Sequence, residues 1–223
     1  MVASGTASRS VWLVRHAEST WNADGLVQGH SDIPVLTELG RRDARRVGLW
    51  LAQHPVTAVL SSDLRRARQT AAAIGVALGL TVRTDPRLRE RCFGALEGTA
   101  SSGLRPEMSG IVSGRVVDVD ARAPGGESLR DLSWRLGEFA GWLGQLPELG
   151  DGTGDTRAAG DVVIVAHGGS IRALAAHLGG SALDRRLWDP VPNCSIRRFP
   201  LALVAPGAPL ALLGSGPGNQ GGS

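Results

Sequence analysis

Asp161-Val162-Val163-Ile164-Val165-Ala166 is an acid followed by an unbroken run of apolar residues, and it ends abruptly in His167-Gly168-Gly169-Ser170. A strand with one face in water would alternate polar and apolar positions. This run does not alternate, so it is predicted to be buried on both faces, as an inner strand of a parallel sheet covered by helices. A helix is predicted to follow from about Ser170 to Leu178.

Working outward, the same reading recurs. Val11-Trp12-Leu13-Val14 is a second continuous apolar strand. Thr37 is placed to cap a helix running to about Gln53, with Ala44, Val47 and Leu51 on one face and Arg41, Arg42, Arg45 and Arg46 toward water. Ala58-Val59-Leu60 is a further strand, Asp63 is read as opening a helix with Ala67, Ala71, Ile74 and Leu78 inward, and Leu80 to Thr84 is a short strand. Ser128 to Leu146 repeats leucine and phenylalanine at helical spacing. Between these lie a Gly-, Ser- and Pro-rich excursion from Thr99 to Gly126, of the kind that often covers a substrate, and a polar loop from Pro147 to Gly160. Ile196 to Val204, interrupted by Pro200, and Leu210 to Leu213 are expected edge strands. The predicted fold is α/β, a three-layer α/β/α sandwich with a mostly parallel central sheet. Residues 1–213 are read as a single domain and 214–223 as a flexible tail.

With 42% apolar and 20% charged residues in 223, the chain has ordinary globular composition, which excludes wholesale disorder. No run reaches the roughly 20 apolar residues that span a bilayer, and the first ten residues lack a signal-type apolar stretch, so a soluble, cytoplasmic protein is expected. Cys92 and Cys194 cannot make a multi-disulfide framework and are expected to be reduced. All 24 residues counted as lysine or arginine are arginine, a bias that GC-rich codon usage would produce. They are dispersed among 21 acids, aromatics are only 4%, and no nucleic-acid-binding motif appears, so no nucleic-acid partner is expected.

Three polar clusters share one topological position, the carboxyl end of a predicted strand: Arg15-His16-Ala17-Glu18, Ser61-Ser62-Asp63-Leu64-Arg65-Arg66 and His167-Gly168-Gly169-Ser170. Ligands of open α/β sheets bind in that crevice, where helix N-termini add backbone N–H groups. Two imidazoles and at least two guanidiniums there suit a multiply charged oxyanion. A neutral imidazole is a competent nucleophile toward phosphorus, and fixed guanidinium donors can neutralise the transferring phosphoryl group. A departing alkoxide needs an acid, and Glu90 is the nearest candidate by the same topology. Neither HxH nor HxxxH spacing occurs among the five histidines, so no catalytic metal is expected, and no cofactor.

Seven ordered blocks then carry a resemblance: Arg15-His16-Ala17-Glu18 with Trp21-Asn22; Gln28-Gly29; Leu36 to Gly40; Ser62 to Ala71; Leu88-Arg89-Glu90 with Phe93-Gly94 and Glu97-Gly98; Pro124 to Ser128; and His167 to Arg172. The chain resembles the phosphoglycerate-mutase-like branch of the histidine phosphatase superfamily over about Val11 to Leu178. The resemblance implies His16 as the nucleophile that becomes phosphohistidine, Glu90 as proton donor and His167 as the second histidine of the phosphate pocket. It also implies Arg15 and Arg66 as phosphate clamps, Asn22 as a polar phosphate contact and the Gly168 amide as a further donor. The implied activity is metal-independent hydrolysis of a small phosphorylated metabolite, with Glu90 protonated when substrate binds. The rival is bisphosphoglycerate-dependent mutase-type phosphotransfer, disfavoured because the segment from Gly98 to Pro124 is short and poor in charged contacts.

The remaining candidates are expected to be structural. His30, His54 and His177 are read as surface or helix-packing residues, Arg65 and Arg68 as solvated, and Cys92 as inert. Trp12, Trp50, Trp134 and Trp142 are expected against the core and Trp21 near the pocket, while Glu18 and Glu97 compete with Glu90 for the acid role. A homodimer is compatible with the sequence.

Overall fold

The computed structural model describes residues 9–115, 118–145, 160–180 and 190–201. Five strands form one sheet: β1 (Ser10–Arg15), β2 (Val56–Ser61), β3 (Val82–Thr84), β4 (Asp161–Ala166) and β5 (Ile196–Pro200). Their order is β3-β2-β4-β1-β5, with every pairing parallel except β1 with β5. Pro200 sits on the antiparallel edge strand, where its missing N–H breaks no inner ladder. The helices are α1 (Thr20–Ala23), α2 (Glu38–Leu51), α3 (Arg65–Leu78), α4 (Pro106–Ser113), α5 (Leu129–Gly144) and α6 (Gly168–Gly179).

The inner strands alternate between two cores. Val11, Leu13, Val162, Ile164 and Ala166 pack with Leu132, Leu136 and Phe139 of α5 and with Ile171 and Leu174 of α6. Trp12, Val14, Val163 and Val165 pack with Val47 and Leu51 of α2 and with Ala67, Ala71 and Ile74 of α3. Both faces are therefore covered, the three-layer arrangement that the unbroken apolar runs predict. Each fully buried Val, Leu or Ile stabilises the fold by about 1.5–3 kcal/mol relative to exposure. Register is pinned at the base of the inner pair: Asp161, 3% exposed, accepts at 2.8 Å from the Ser10 N–H and at 2.8 Å from the Trp12 indole N–H.

The helices begin where capping chemistry allows. The Thr37 hydroxyl accepts from the Gly40 N–H, and Ser128 and Asp131 form a reciprocal capping box at the start of α5. Helix α3 starts at Arg65 rather than at Asp63, whose carboxylate instead receives two N–H bonds from Arg89 at 2.8 and 2.6 Å. Helix α6 starts at Gly168, two residues earlier than the sequence suggests, with His167 as its N-cap.

The excursion from Thr99 to Gly126 is more ordered than its composition implies. It carries a 3-10 turn (Ser101–Gly103) and α4, whose Ile111 packs with Val27 and Phe93 in a small core of its own. Two tryptophans depart from expectation: Trp134 is 71% exposed and Trp50 42% exposed, on the outer faces of α5 and α2. Periodicity placed their neighbours inward, and the helical angle carries these two outward. The expected loop at 147–159, the strand at 210–213, the tail at 214–223 and the end of the edge strand beyond Leu201 lie outside the described residues. Among the described residues no helix is long and apolar enough to cross a membrane.

Candidate active site

Parallel register assembles the site. Arg15 at the end of β1 pairs with Ala166 at the end of β4, and Ser61 of β2 pairs with Val165. The next residues, His16, His167 and Ser62, therefore leave the sheet at one edge. The imidazoles of His16 and His167 lie 5.0 Å apart between centroids, 2% and 1% exposed. The His16 Nδ1 is 2.8 Å from the Ala17 carbonyl oxygen, which can only accept. Nδ1 must then carry the proton, and Nε2 is left with its lone pair.

Burial first, and then the charges of Arg66 and Arg15, hold the His16 pKa well below the ordinary imidazole value. His167 is lowered in the same way, by burial, then Arg66, His16 and Arg15. Both rings are neutral at physiological pH. The His167 Nε2 lies 2.9 Å from the Ser62 hydroxyl, which also accepts from the Leu64 N–H. With the hydroxyl proton given to Nε2, Nδ1 of His167 is the ring's N–H donor.

Two guanidiniums flank the histidines. Arg66, 1% exposed, donates through Nη1 to the Ser31 carbonyl at 2.9 Å and through Nη2 to the Gly29 carbonyl at 2.8 Å. Burial pulls its pKa down to about 10, so it remains charged at neutral pH. Arg15 donates through Nη1 to the Val191 carbonyl. Arg15 Nε, Arg66 Nε and His167 Nδ1 are buried without a hydrogen-bond partner among the described residues. Buried donors are normally paired, and three left over in one cluster of positive charge are what an anion's oxygens would satisfy.

Glu90 reaches the same place from the loop after β3. Its Oε1 accepts from the Arg91 N–H at 2.8 Å and its Oε2 from the Gly169 N–H at 2.9 Å. The two competing carboxylates are occupied elsewhere. Glu97 accepts from the His30 and Phe93 backbone N–H groups, and Glu18 accepts from the Thr37 hydroxyl. Only Glu90 of the three lines the cavity, whose volume is about 240 Å³. Arg15, His16, Asn22, Arg66 and Gly168 line it as well, and His167 abuts it through His16. The seven residues expected at the site are thus brought together. Asn22 Oδ1 is taken by the Ser19 N–H and hydroxyl and by Asn193 Nδ2, leaving the Asn22 amide NH₂ to donate.

Other expectations need correction or addition. His30 is neither a surface nor a helix-packing residue: its Nε2 is 2.8 Å from the Glu90 carbonyl and 3.8 Å from Glu127. Trp21 is not among the cavity-lining residues; its ring stands over Gly98. Sequence reading missed Ser62 as the partner of His167, and Asn193, which donates to the His16 carbonyl at 2.9 Å. It also missed Arg135, whose guanidinium donates to the carbonyls of Arg87, Arg89 and Glu90 and is held by Glu127 at 2.8 Å. Ser62 lies inside a quoted block and was legible in principle; Asn193 and Arg135 lie outside every such block.

Residues 11–202 match the model of the histidine phosphatase superfamily (branch 1). A relative from Yersinia pestis (strain Pestoides F), "Probable phosphoglycerate mutase GpmB", is 38% identical over 191 residues, covering 84% of this chain and 83% of the relative. The structure of a mycobacterial glucosyl-3-phosphoglycerate phosphatase complexed with VO3 superposes with a TM-score of 0.71 at 32% identity, over 86% of this chain and 90% of that one. A Thermus thermophilus protein, TTHB049, superposes with a TM-score of 0.60 at 32% identity, over 85% of this chain and 91% of that one.

Proposed function

Because the chain belongs to the histidine phosphatase superfamily, we propose that it hydrolyses a small phosphomonoester through a phosphohistidine on His16, without a metal ion. The observation that carries this reading is the His16 tautomer. Its Nδ1–H is spent on the Ala17 carbonyl, so Nε2 keeps its lone pair for attack, and burial together with the nearby charges of Arg66 and Arg15 keeps the ring neutral.

The reaction has two steps. Nε2 attacks phosphorus in line, the bond from phosphorus to the ester oxygen breaks, and the departing oxygen keeps the electron pair and takes the proton of the Glu90 carboxyl. Arg15, Arg66, the His167 Nδ1–H, the Asn22 amide and the Gly168 N–H at the start of α6 hold the non-bridging oxygens, where charge must be stabilised throughout. Ionised Glu90 then takes a proton from water, the water oxygen attacks phosphorus, and the nitrogen–phosphorus bond breaks to release inorganic phosphate and restore both residues. Guanidinium forks supply the positive charge that a divalent ion would bring elsewhere.

Mutase-type transfer is the second reading, favoured by the 38%-identical relative named as a probable phosphoglycerate mutase. A phosphate-release assay across sugar phosphates, phosphoglycerates and alkyl phosphates, with chelator and beside His16→Ala, separates the two. Release that survives chelator and vanishes in His16→Ala supports hydrolysis. Interconversion of 2- and 3-phosphoglycerate that requires a bisphosphorylated primer, with no net release, would replace it with the mutase reading.

A further inference from the structure

Resting on that phosphatase reading, we propose that the chamber for the leaving group selects phosphomonoesters of apolar alcohols over those of polyhydroxylated ones. Apart from the residues at its phosphate end, the cavity is lined by Leu26, Val27, Phe93, Ile111, Val112 and Val119 among others. The wall is built rather than incidental. Val27, Phe93 and Ile111 are 3%, 7% and 5% exposed and form one hydrophobic cluster with neighbours from α4. Arg91 fastens it by donating to the carbonyls of Ile111, Ala121 and Glu127 at 3.0, 2.6 and 2.8 Å.

Most polar side chains of the same lining are already engaged with the protein. The Ser101 hydroxyl donates to the Gly25 carbonyl at 2.8 Å, and the Ser113 hydroxyl to the Gly110 carbonyl at 3.3 Å. Arg172 donates through Nε to the Gly168 carbonyl and through Nη1 to the Ser113 carbonyl, while Gln28 Oε1, 2.9 Å from the Ser19 hydroxyl, shares that one proton with Asn22, and the Gln28 amide NH₂ is the donor left to a ligand. A sugar moved into this chamber gives up water at several hydroxyls and finds few replacements, and each buried unpaired hydroxyl carries a free-energy cost. A hydrocarbon gains from the same burial.

Cyclohexylmethyl phosphate and glucose 6-phosphate make the test. Both are phosphates of a primary alcohol on a six-membered ring, so they present the same phosphate and the same class of leaving oxygen, and differ chiefly in hydroxyls. Their binding to the His16→Ala protein, measured by calorimetry, reads the chamber apart from the chemistry. The expected result is a Kd for cyclohexylmethyl phosphate at least about tenfold lower, with kcat/KM of the unaltered enzyme leaning the same way. Ile111→Ser in that background is expected to bring the ratio toward unity, and Val112→Thr, close to isosteric, provides a second variant should Ile111→Ser fail to fold. Equal or tighter binding of glucose 6-phosphate, or a ratio unmoved by the folded variant, overturns the proposal. If the unaltered enzyme releases phosphate from no ester of the wider panel while the binding preference holds, the hydrolase reading falls and the selectivity of the chamber stands.

Discussion

The backbone N–H of Gly169 donates to the Glu90 carboxylate at 2.9 Å, and a Cβ built on Gly169 would stand 2.3 Å from the other carboxylate oxygen. The second glycine of the His167-Gly168-Gly169 turn is therefore the space in which the proposed acid sits. Gly169→Ala is expected to push Glu90 out of line and lower kcat by roughly 100-fold, since displacements near 1 Å carry costs of that order. Stopped-flow turnover with a phosphomonoester checks this. An unchanged kcat in a folded variant would mean that Glu90 is not the proton donor.

Arg135 is expected to act on the same carboxylate from behind. By donating to the carbonyls of Arg87, Arg89 and Glu90, it holds the loop that presents Glu90, and Glu127 holds Arg135. Arg135→Ala should lower kcat by roughly 10-fold with little change in KM, because substrate binding uses other residues. A KM effect with kcat intact would place Arg135 in binding instead.

Arg66→Lys separates charge from geometry. The guanidinium spans the carbonyls of Gly29 and Ser31 and still has Nε to offer, whereas an ammonium is a point charge that cannot serve all three directions. A rise in KM of roughly 10- to 100-fold is expected, with inhibition by inorganic phosphate weakened in parallel. Matching inhibition constants in the two proteins would remove Arg66 from the phosphate clamp.

Stability should fall on mild acidification. His16 and His167 have native pKa values held well below the ordinary 6.5, chiefly by burial. Between those lowered values and 6.5 the unfolded chain binds protons that the native state refuses, so stability rises with pH across that window and is lost as pH drops through it. Urea midpoints at about pH 7.5 and about pH 5.5 should differ, and His167→Gln should shrink the difference. A midpoint independent of pH over this range would contradict the burial of two neutral imidazoles.

How far the sequence could be read depended on whether a residue's role is local. Strands β1 and β4 were legible because an apolar run without alternation has only one comfortable environment, a sheet covered on both faces. Trp134 was misplaced because aromatic size suggests burial, while its angle on α5 points it to water. His30 looked like a surface histidine because its partner, the Glu90 carbonyl, is distant in sequence and leaves no trace in spacing. Glu90 was the acid that topology and resemblance favoured, with Glu18 and Glu97 as competitors near the same crevice; in the structure the three differ in which backbone N–H groups and hydroxyls claim each carboxylate.

The order of strands and helices, the crevice at their carboxyl ends and the identity of the two clustered histidines followed from the amino-acid order alone, because hydrophobic periodicity acts over short stretches and strands buried on both faces belong to a parallel sheet whose carboxyl ends share one side. Which tautomer His16 adopts, which groups hold the Glu90 carboxylate, and how apolar the chamber beyond them is were decided only on folding. Each depends on a carbonyl, an N–H or a methyl group delivered from a distant part of the chain, and hydrogen bonds of that kind are specified by position in space, not by neighbours in sequence.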